Sequence, residues 1–393
     1  MEQYDVTVIG AGLAGLYTAR LLAESGLHVL LADRKAHVGD AVHTTGIFVR
    51  KTLEDFELPA DCLGPAIRDV TLYSPKRHAL ALCSPHDEFR VGRMALLYER
   101  LLQKCVCAGV EWMPNARYEG HRIENGKSTL RLNRHGRVEV FATRYVVGAD
   151  GATSRVAEDL RLSQNHEWIV GVEEIFDGLP LTGPPQLHCF LDPRLAPGYI
   201  AWVVNDGEEI HLGVGGYADR FDPARALNTF RNSLEPTFDF SKARLVDRRG
   251  GRIPVNGLLP HLANEHGLLV GDAAGAVSPL TAGGFDGCLR LSKLATLVIE
   301  EFLRTGDANA LQAYSGGAFR SRFVSRLWMR RIIAHSLHPA LLELGCAILR
   351  FPILRMLAWQ VFFGRASFPD VNLTRTQRPN YQMRIDESQT AWR

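Results

Sequence analysis

The chain has 393 residues, 46% hydrophobic and 9% aromatic, with a formal net charge of +2. That length suits about two or three domains with a substantial core, and the near-neutral balance argues against nucleic acid as a general partner. Seven cysteines without a repeating spacing exclude a disulfide framework and point to a reducing compartment. The first strand begins almost at residue 1 and leaves no room for a signal peptide, so the cytoplasm is the expected location.

Residues 4–9 form a β-prone apolar run. They lead into Gly10-Ala11-Gly12-Leu13-Ala14-Gly15, then into apolar residues at helical spacing over 13–25, closed by Gly26. Strand, glycine turn and helix in that order bring backbone N–H groups and the positive end of a helix onto a pyrophosphate. Gly10 would make the tight turn, Gly12 would let a phosphate approach the backbone, and Gly15 would let helix and strand pack. A second strand over 28–32 ends at Asp33, at the distance suited to a carboxylate that accepts from ribose hydroxyls. Asp33 argues for a ribose without a 2′-phosphate, while Arg34 and Lys35 beside it leave the phosphorylated form open.

The loop 38–47 carries His43, Thr44 and Thr45, and a mixed region follows to residue 67. Runs at 70–73, 78–83 and 88–91 read as an excursion into another sheet, and 93–107 as an amphipathic helix. Cys105 and Cys107 in that helix do not share a face, which argues against a metal pair. Strands are expected at 117–123, 128–133 and 138–143, separated by Glu124-Asn125-Gly126-Lys127 and Arg134-His135-Gly136-Arg137. A further strand at 145–149 ends on a second string, Gly148-Ala149-Asp150-Gly151-Ala152.

From 168 to 255 the chain is β-rich, with strands expected at 168–175, 186–191, 199–204 and 210–214. Asn205-Asp206-Gly207 is a hairpin signal between the last two, and 223–235 reads as a helix. Strand periodicity places Tyr199 and Trp202 on opposite faces. A short strand at 268–270 leads into a third string, Gly271-Asp272-Ala273-Ala274-Gly275. Pro279, Gly283 and Gly284 come next, then a helix from Phe285 to about 303. A carboxylate at a strand end can accept from a polyol, and a helix N-terminus favours the negative charge of a reduced ring.

Three such strings in this order are the pattern of a chain wrapping one extended dinucleotide, FAD. With Arg93 opening its helix, the arrangement resembles the para-hydroxybenzoate hydroxylase-like flavoprotein superfamily. Residues 271–294 and 197–204 are similar to its geranylgeranyl reductase branch. The resemblance implies an α/β fold: a Rossmann-like FAD-binding domain with an inserted antiparallel-sheet substrate domain and a C-terminal helical segment. The expected limits are 1–67, 93–165 and 262–305 for the FAD-binding part, 68–92 with 166–261 for the substrate part, 306–369 for the helices and 370–393 for a polar tail.

Carried over residue by residue, the resemblance gives the pyrophosphate to Gly10, Gly12 and Gly15, with Leu13 and Ala14 opening the helix, and the ribose to Asp33 beside Arg34. Arg93 would approach the FAD phosphates and ribityl region, and Asp150-Gly151 would serve both FAD and a transient NAD(P)H, the expected electron donor. Gly271 and Asp272 would meet the ribityl chain, and Pro279, Gly283, Gly284 and Phe285 would face the flavin.

The chain also departs from the branch. Thr44 stands where a cysteine often precedes the loop glycine, here Gly46, and in the pattern Tyr-x-Trp-x-Phe-Pro only Trp202 fits, with Ile200 and Val204-Asn205 at the other places. The Gly-Trp-x-Trp-x-Ile-Pro string of flavin halogenases is absent. The resemblance therefore implies an FAD-dependent oxidoreductase acting on a hydrophobic small molecule, with alkene reduction in an isoprenoid-like substrate placed first. Two alternatives stay open: an NAD(P)H-dependent monooxygenase of an aromatic, polyketide or terpenoid substrate, and a protein with structural FAD or non-redox chemistry. Candidate acids and polar guides are His43, Thr44, Thr45 and Tyr199; Trp202 and His211 are assigned to the substrate pocket, and no metal site is expected.

Residues 320–365 hold eight arginines (320, 322, 326, 330, 331, 350, 355 and 365) and one acid, Glu343, among many apolar residues. No apolar run there reaches the roughly 18 residues of a membrane span. The segment reads as a lid over the substrate domain, as a basic amphipathic contact with a membrane surface, or as a dimer interface, with the oligomeric state left open.

Overall fold

The computed structural model describes residues 2–124, 127–179, 183–234, 240, 243–320, 324–335 and 338–364. The apolar run Gln3–Ile9 is buried on both faces because it is the central strand of a parallel sheet. The parallel order is Gly267–Leu269, Arg137–Gly148, Gln3–Ile9, Val29–Ala32, Glu111–Met113. Helix Leu13–Glu24 packs on this sheet between Met94–Cys107 and Phe285–Thr305.

Residues 138–143 and 145–149, read as two strands, form one strand, Arg137–Gly148. Its first half pairs antiparallel with Lys127–Arg134, which in turn pairs with Ala116–Glu124, and its second half lies parallel to Gln3–Ile9. One strand thus serves a solvated hairpin and a buried sheet, and the change of burial along it made it look interrupted. The central turn residues 125 and 126 lie outside the described residues.

A second sheet has seven strands in the order Arg244–Pro254, Trp168–Asp177, Ile210–Gly216, Ala201–Asn205, Gln186–Phe190, Asp69–Tyr73, Ala79–Cys83. Its one parallel pairing joins Gln186–Phe190 to Asp69–Tyr73. Helix Pro223–Leu234 covers one face through Leu227, Phe230 and Leu234. The run expected at 88–91 instead enters a three-stranded sheet of Ile47–Val49, Phe89–Gly92 and Leu63–Ile67. Edge strand Arg244–Pro254 carries no apolar alternation and was not foreseen; its order comes from pairing along nearly all of Trp168–Asp177.

The C-terminal segment folds into helices Val324–His335, Pro339–Ile348 and Pro352–Phe363. The last lies against the edge strand Ala79–Cys83, where Arg355 Nη2 donates to the Ala81 carbonyl at 2.7 Å, while Phe363 packs on Phe89 of the three-stranded sheet with centroids 5.9 Å apart. Occupying an open sheet edge in this way blocks edge-to-edge pairing. The side chain of Arg320, and Arg322, Phe323, Arg365 and the tail 370–393, lie outside the described residues.

Candidate functional site

The glycine turn separates two packing tasks from one of access. A Cβ on Gly10 (φ +104°) would stand 2.3 Å from the Ala149 carbonyl oxygen, and one on Gly15 would stand 1.8 Å from that of Gly10. Gly12 has an ordinary backbone, φ −81°, and a Cβ there would meet nothing within 4 Å. Space therefore opens at the start of helix Leu13–Glu24, whose first residues Leu13 and Ala14 are buried. The Ala11 N–H donates to Asp33 Oδ2 at 2.6 Å and the Lys35 N–H to Oδ1 at 2.8 Å. Each Asp33 oxygen keeps a second lone pair for a ribose hydroxyl, and Arg34 beside it is exposed.

The second string is held from within. Asp150 accepts from the Ser154 hydroxyl at 2.6 Å and from the N–H groups of Arg155 and Val156 at 2.8 and 3.1 Å, so it caps the short helix Arg155–Asp159. Burial raises its pKa nonetheless. Gly151 has φ +86° and open space at its Cβ position. Arg93 precedes helix Met94–Cys107 and pairs with Glu208 from the hairpin of the substrate sheet.

The third string ends in an unpartnered carboxylate. Among the described residues no donor reaches the Asp272 carboxylate, and burial alone pushes its pKa up to about 6. A strand-end acid in that condition fits a polyol hydroxyl, which would donate the missing hydrogen bond. A Cβ on Gly284 would stand 3.6 Å from Asp272 Oδ1, and one on Gly283 would meet only the Thr281 hydroxyl at 3.5 Å. Gly271 (φ +60°) lets the strand end close on Ala14, Pro279 is buried, and Phe285 packs on Phe48 with centroids 4.6 Å apart. Together with the open Gly12 turn and Asp33, these residues can hold an extended dinucleotide.

Asp272 carries a prediction whose sign is set by linkage. Its folded pKa, about 6, lies above its ordinary value of 3.8, so the neutral form favours folding and that stability is lost as pH rises through 6. Asp272→Asn is expected to stabilise the flavin-free protein at pH 8 by roughly 3 kcal/mol and to leave it little changed at pH 4. The same change should weaken FAD binding. Melting the flavin-free protein at both pH values, with a flavin titration, checks it; an equal gain at both would contradict the assignment.

On the substrate sheet, His211, Gly213 and Gly215 alternate onto one face of Ile210–Gly216, while Leu212 and Val214 pack into the core beneath Pro223–Leu234. A Cβ on Gly213 would lie 2.1 Å from the Trp202 ring, and one on Gly215 2.8 Å from that of Tyr199. The two glycines make a floor on which the rings rest. Tyr199 and Trp202, expected on opposite faces, meet edge to face with centroids 6.5 Å apart. Tyr199 precedes the strand Ala201–Asn205 and sits in a turn after Gly198 (φ +77°), so the period of two does not apply to it. Its hydroxyl donates to the Thr281 carbonyl at 2.8 Å, which ties the sheet to the loop that carries Gly283 and Gly284.

Beneath Trp202 lies a residue that the sequence reading missed. Buried Glu173 accepts from the Thr45 hydroxyl and, at 2.8 Å, from Trp202 Nε1; its other oxygen lies 3.4 Å from His211 Nδ1. His211 Nε2 lies 3.2 Å from Asp206 Oδ2. Burial opposes all three charges, but their mutual pairing wins: His211 is raised to about 9, and Glu173 and Asp206 are lowered. Asp206, Glu209 and His211 also bring ligand-type atoms within 4.8 Å of one another, yet both imidazole nitrogens already face carboxylates. The available signal was Glu173-Glu174, two acids inside an apolar strand. His43 is exposed, with Nδ1 3.0 Å from the Gly250 carbonyl oxygen, and the Thr44 hydroxyl accepts from the Gly46 N–H at 3.2 Å.

Comparison with known proteins points to the same cofactor. The family described as "FAD binding domain" matches residues 3–329. The digeranylgeranylglycerophospholipid reductase of Methanocella arvoryzae is 27% identical over 318 residues, covering 79% of this chain and 80% of its own. Reductase 2 of that name from Methanopyrus kandleri is 27% identical, with 90% of this chain and 92% of its own covered. Among solved structures, a geranylgeranyl bacteriochlorophyll reductase-like protein from Thermoplasma acidophilum aligns with TM-score 0.77 at 21% identity, over 87% of this chain and 90% of its own. A p-nitrophenol 4-monooxygenase from Pseudomonas putida aligns with TM-score 0.69 at 16% identity, over 92% and 98%. With the family profile spanning the glycine turn, the capped Asp150 string and the Asp272 loop, the chain belongs to the FAD binding domain family and is an FAD-dependent oxidoreductase similar to the geranylgeranyl reductases.

Proposed function

We propose that this protein reduces carbon–carbon double bonds in an isoprenoid-type hydrophobic substrate and that NAD(P)H supplies its electrons. The observation that carries the reading is the glycine-floored pair Tyr199 and Trp202, an aromatic wall joined through Thr281 to the proposed flavin-side loop. Such a wall suits an apolar chain and excludes water from it. The names of the reductase relatives support the same substrate class.

In this reading the Gly12 turn and the helix behind it bind the pyrophosphate, Asp33 the ribose, and Asp272 the ribityl chain. When bound, the reduced flavin supplies a hydride to one alkene carbon. The N-terminus of Phe285–Thr305 favours anionic charge beside it. Thr45 and Tyr199 hold the polar edge of the pocket, while His43 and Thr44 shape the loop through backbone contacts.

We propose further that the C-terminal helices rest on a membrane surface. They anchor through Ala358 and Phe363, yet leave Leu341, Phe351, Ile353 and Met356 between 63% and 80% exposed, with Arg350 among them. A monomer rarely leaves so large an apolar face in water. No helix among the described residues is long and apolar enough to cross a membrane.

The testing experiment is a single turnover without oxygen. Chemically reduced holoprotein mixed with a geranylgeranyl lipid is expected to return to oxidised flavin as the lipid gains two mass units per double bond, following the hydride-plus-proton stoichiometry. Reoxidation only when oxygen is admitted, with an oxygenated product, would assign the chain to the monooxygenases instead.

A further inference from the structure

Reduction of an alkene needs a proton as well as a hydride, and the chain from Asp206 to Thr45 has the geometry to bring one. Asp206 stands in the hairpin turn between Ala201–Asn205 and Ile210–Gly216, with Oδ1 accepting from the N–H groups of Glu208 and Glu209 at 2.9 and 2.7 Å. Its other oxygen faces His211 Nε2; on the far side of the ring, Nδ1 faces Glu173, and Glu173 takes the Thr45 hydroxyl. Four side chains thus run in series from a turn toward the loop beside Trp202. His211 and Glu173 are 2% and 4% exposed, so no solvent short-circuits the middle of the series. A salt bridge kept only for stability would be a weak design, because desolvating two ions offsets most of their attraction.

We propose that Asp206, His211, Glu173 and Thr45 form a proton wire whose outer end is the hairpin turn and whose inner end is the Thr45 hydroxyl at the reaction pocket. This inference rests on the reductase reading above. In the step itself, the Thr45 hydroxyl turns from Glu173 toward the substrate, its O–H bond breaks and a C–H bond forms at the alkene carbon next to the one that receives the hydride. Thr45 Oγ recovers a proton from the Glu173 carboxyl, which takes the Nδ1 proton of the His211 imidazolium. His211 is left neutral with its remaining proton on Nε2, and the ring turns over to present its bare nitrogen to Asp206, which passes it a proton drawn from solvent at the hairpin turn. The electron pair for the new bond at the other carbon is the hydride pair, so the alkene gains two hydrogens and no further reactant is required.

The charged groups facing His211 are Glu173 from Trp168–Asp177 and Asp206 and Glu209 from the hairpin, with Arg249 and Asp177 acting on Glu209. The carboxylates outweigh burial and hold the imidazolium to about pH 9. The wire should therefore be loaded at neutral pH and empty above 9.

The experiment combines imidazole NMR with single-turnover reduction as a function of pH. Wild type is expected to show a His211 signal titrating near 9 and a rate that falls above that pH. Asp206→Asn should lower both together. Thr45→Val should slow reduction about 10²-fold, the usual worth of a positioned proton donor, while Thr45→Ser restores it. Because Thr45 is only part-buried, its variants avoid the folding risk of changing Glu173. A His211 signal titrating below 7 in the folded protein overturns the wire whatever the activity. So does Asp206→Asn with an unchanged alkaline limb, or Thr45→Val at the wild-type rate. Wild type that reduces no alkene, with His211 titrating near 9, overturns the reductase reading instead.

Discussion

Gly12→Asp is expected to give a stable, soluble protein that has lost FAD. Gly12 occupies the N-cap of helix Leu13–Glu24 with extended backbone angles, φ −81° and ψ −173°, and no side chain now caps that helix. Aspartate is among the best N-cap residues, and its Cβ would meet nothing within 4 Å. The melting temperature of the flavin-free variant should therefore hold or rise, a cap adding about 1 kcal/mol. The same carboxylate would fill the space proposed for the pyrophosphate and repel it. FAD affinity should fall by at least 10²-fold, on the order of 3 kcal/mol for an opposed charge in a partly desolvated site. Gly15→Val is the contrasting control. Its Cβ would overlap the Gly10 carbonyl, so it should lose stability and flavin together. Flavin absorbance after purification, with a melting curve on stripped protein, separates the cases. A yellow Gly12→Asp protein would refute the placement of the pyrophosphate.

Exchanging Leu341, Leu344, Ile353 and Met356 for glutamine is expected to abolish flotation with anionic vesicles while the protein stays folded. These side chains are 58–80% exposed, whereas Ala358 and Phe363, which anchor the last helix, are buried and untouched. Each apolar side chain moved fully out of water contributes about 1.5–3 kcal/mol, so four of them are worth on the order of 6 kcal/mol and more than 10³-fold in partitioning. Arginines near the interface add an electrostatic share that salt should screen. Wild type that stays with the soluble fraction would reject the membrane contact. A wild type that elutes as a dimer, with the variant monomeric, would give the apolar face to a second copy of the chain.

The parts of this protein legible in sequence are those whose function demands a local backbone. Gly10, Gly12 and Gly15 are spaced by the turn itself, Asp33 by the length of one helix and strand, and Asp272 by the end of a short buried strand. Their geometry follows from neighbours within a few residues, and periodicity located the surrounding strands and helices. Arg244–Pro254 escaped because its order is imposed by a partner strand rather than by its own apolar pattern. Tyr199 was assigned to the wrong face because a turn, not a strand, carries it.

The cofactor class and the family could thus be read from the residues in order along the chain. What lies beneath Trp202 follows from long-range packing alone. The contacts among Thr45, Glu173, Trp202, His211 and Asp206 span strands and loops up to 128 residues apart, as Thr45 and Glu173 are. No periodicity links such positions. They meet because antiparallel register sets Val204 opposite His211 and Gly213 opposite Glu173, and because glycine at 213 leaves room for an indole between the strands' side chains. Burial then holds those charges together: once in the interior, the imidazolium and the two carboxylates offset lost hydration through one another, with Thr45 and Trp202 donating to Glu173 and backbone N–H groups to Asp206.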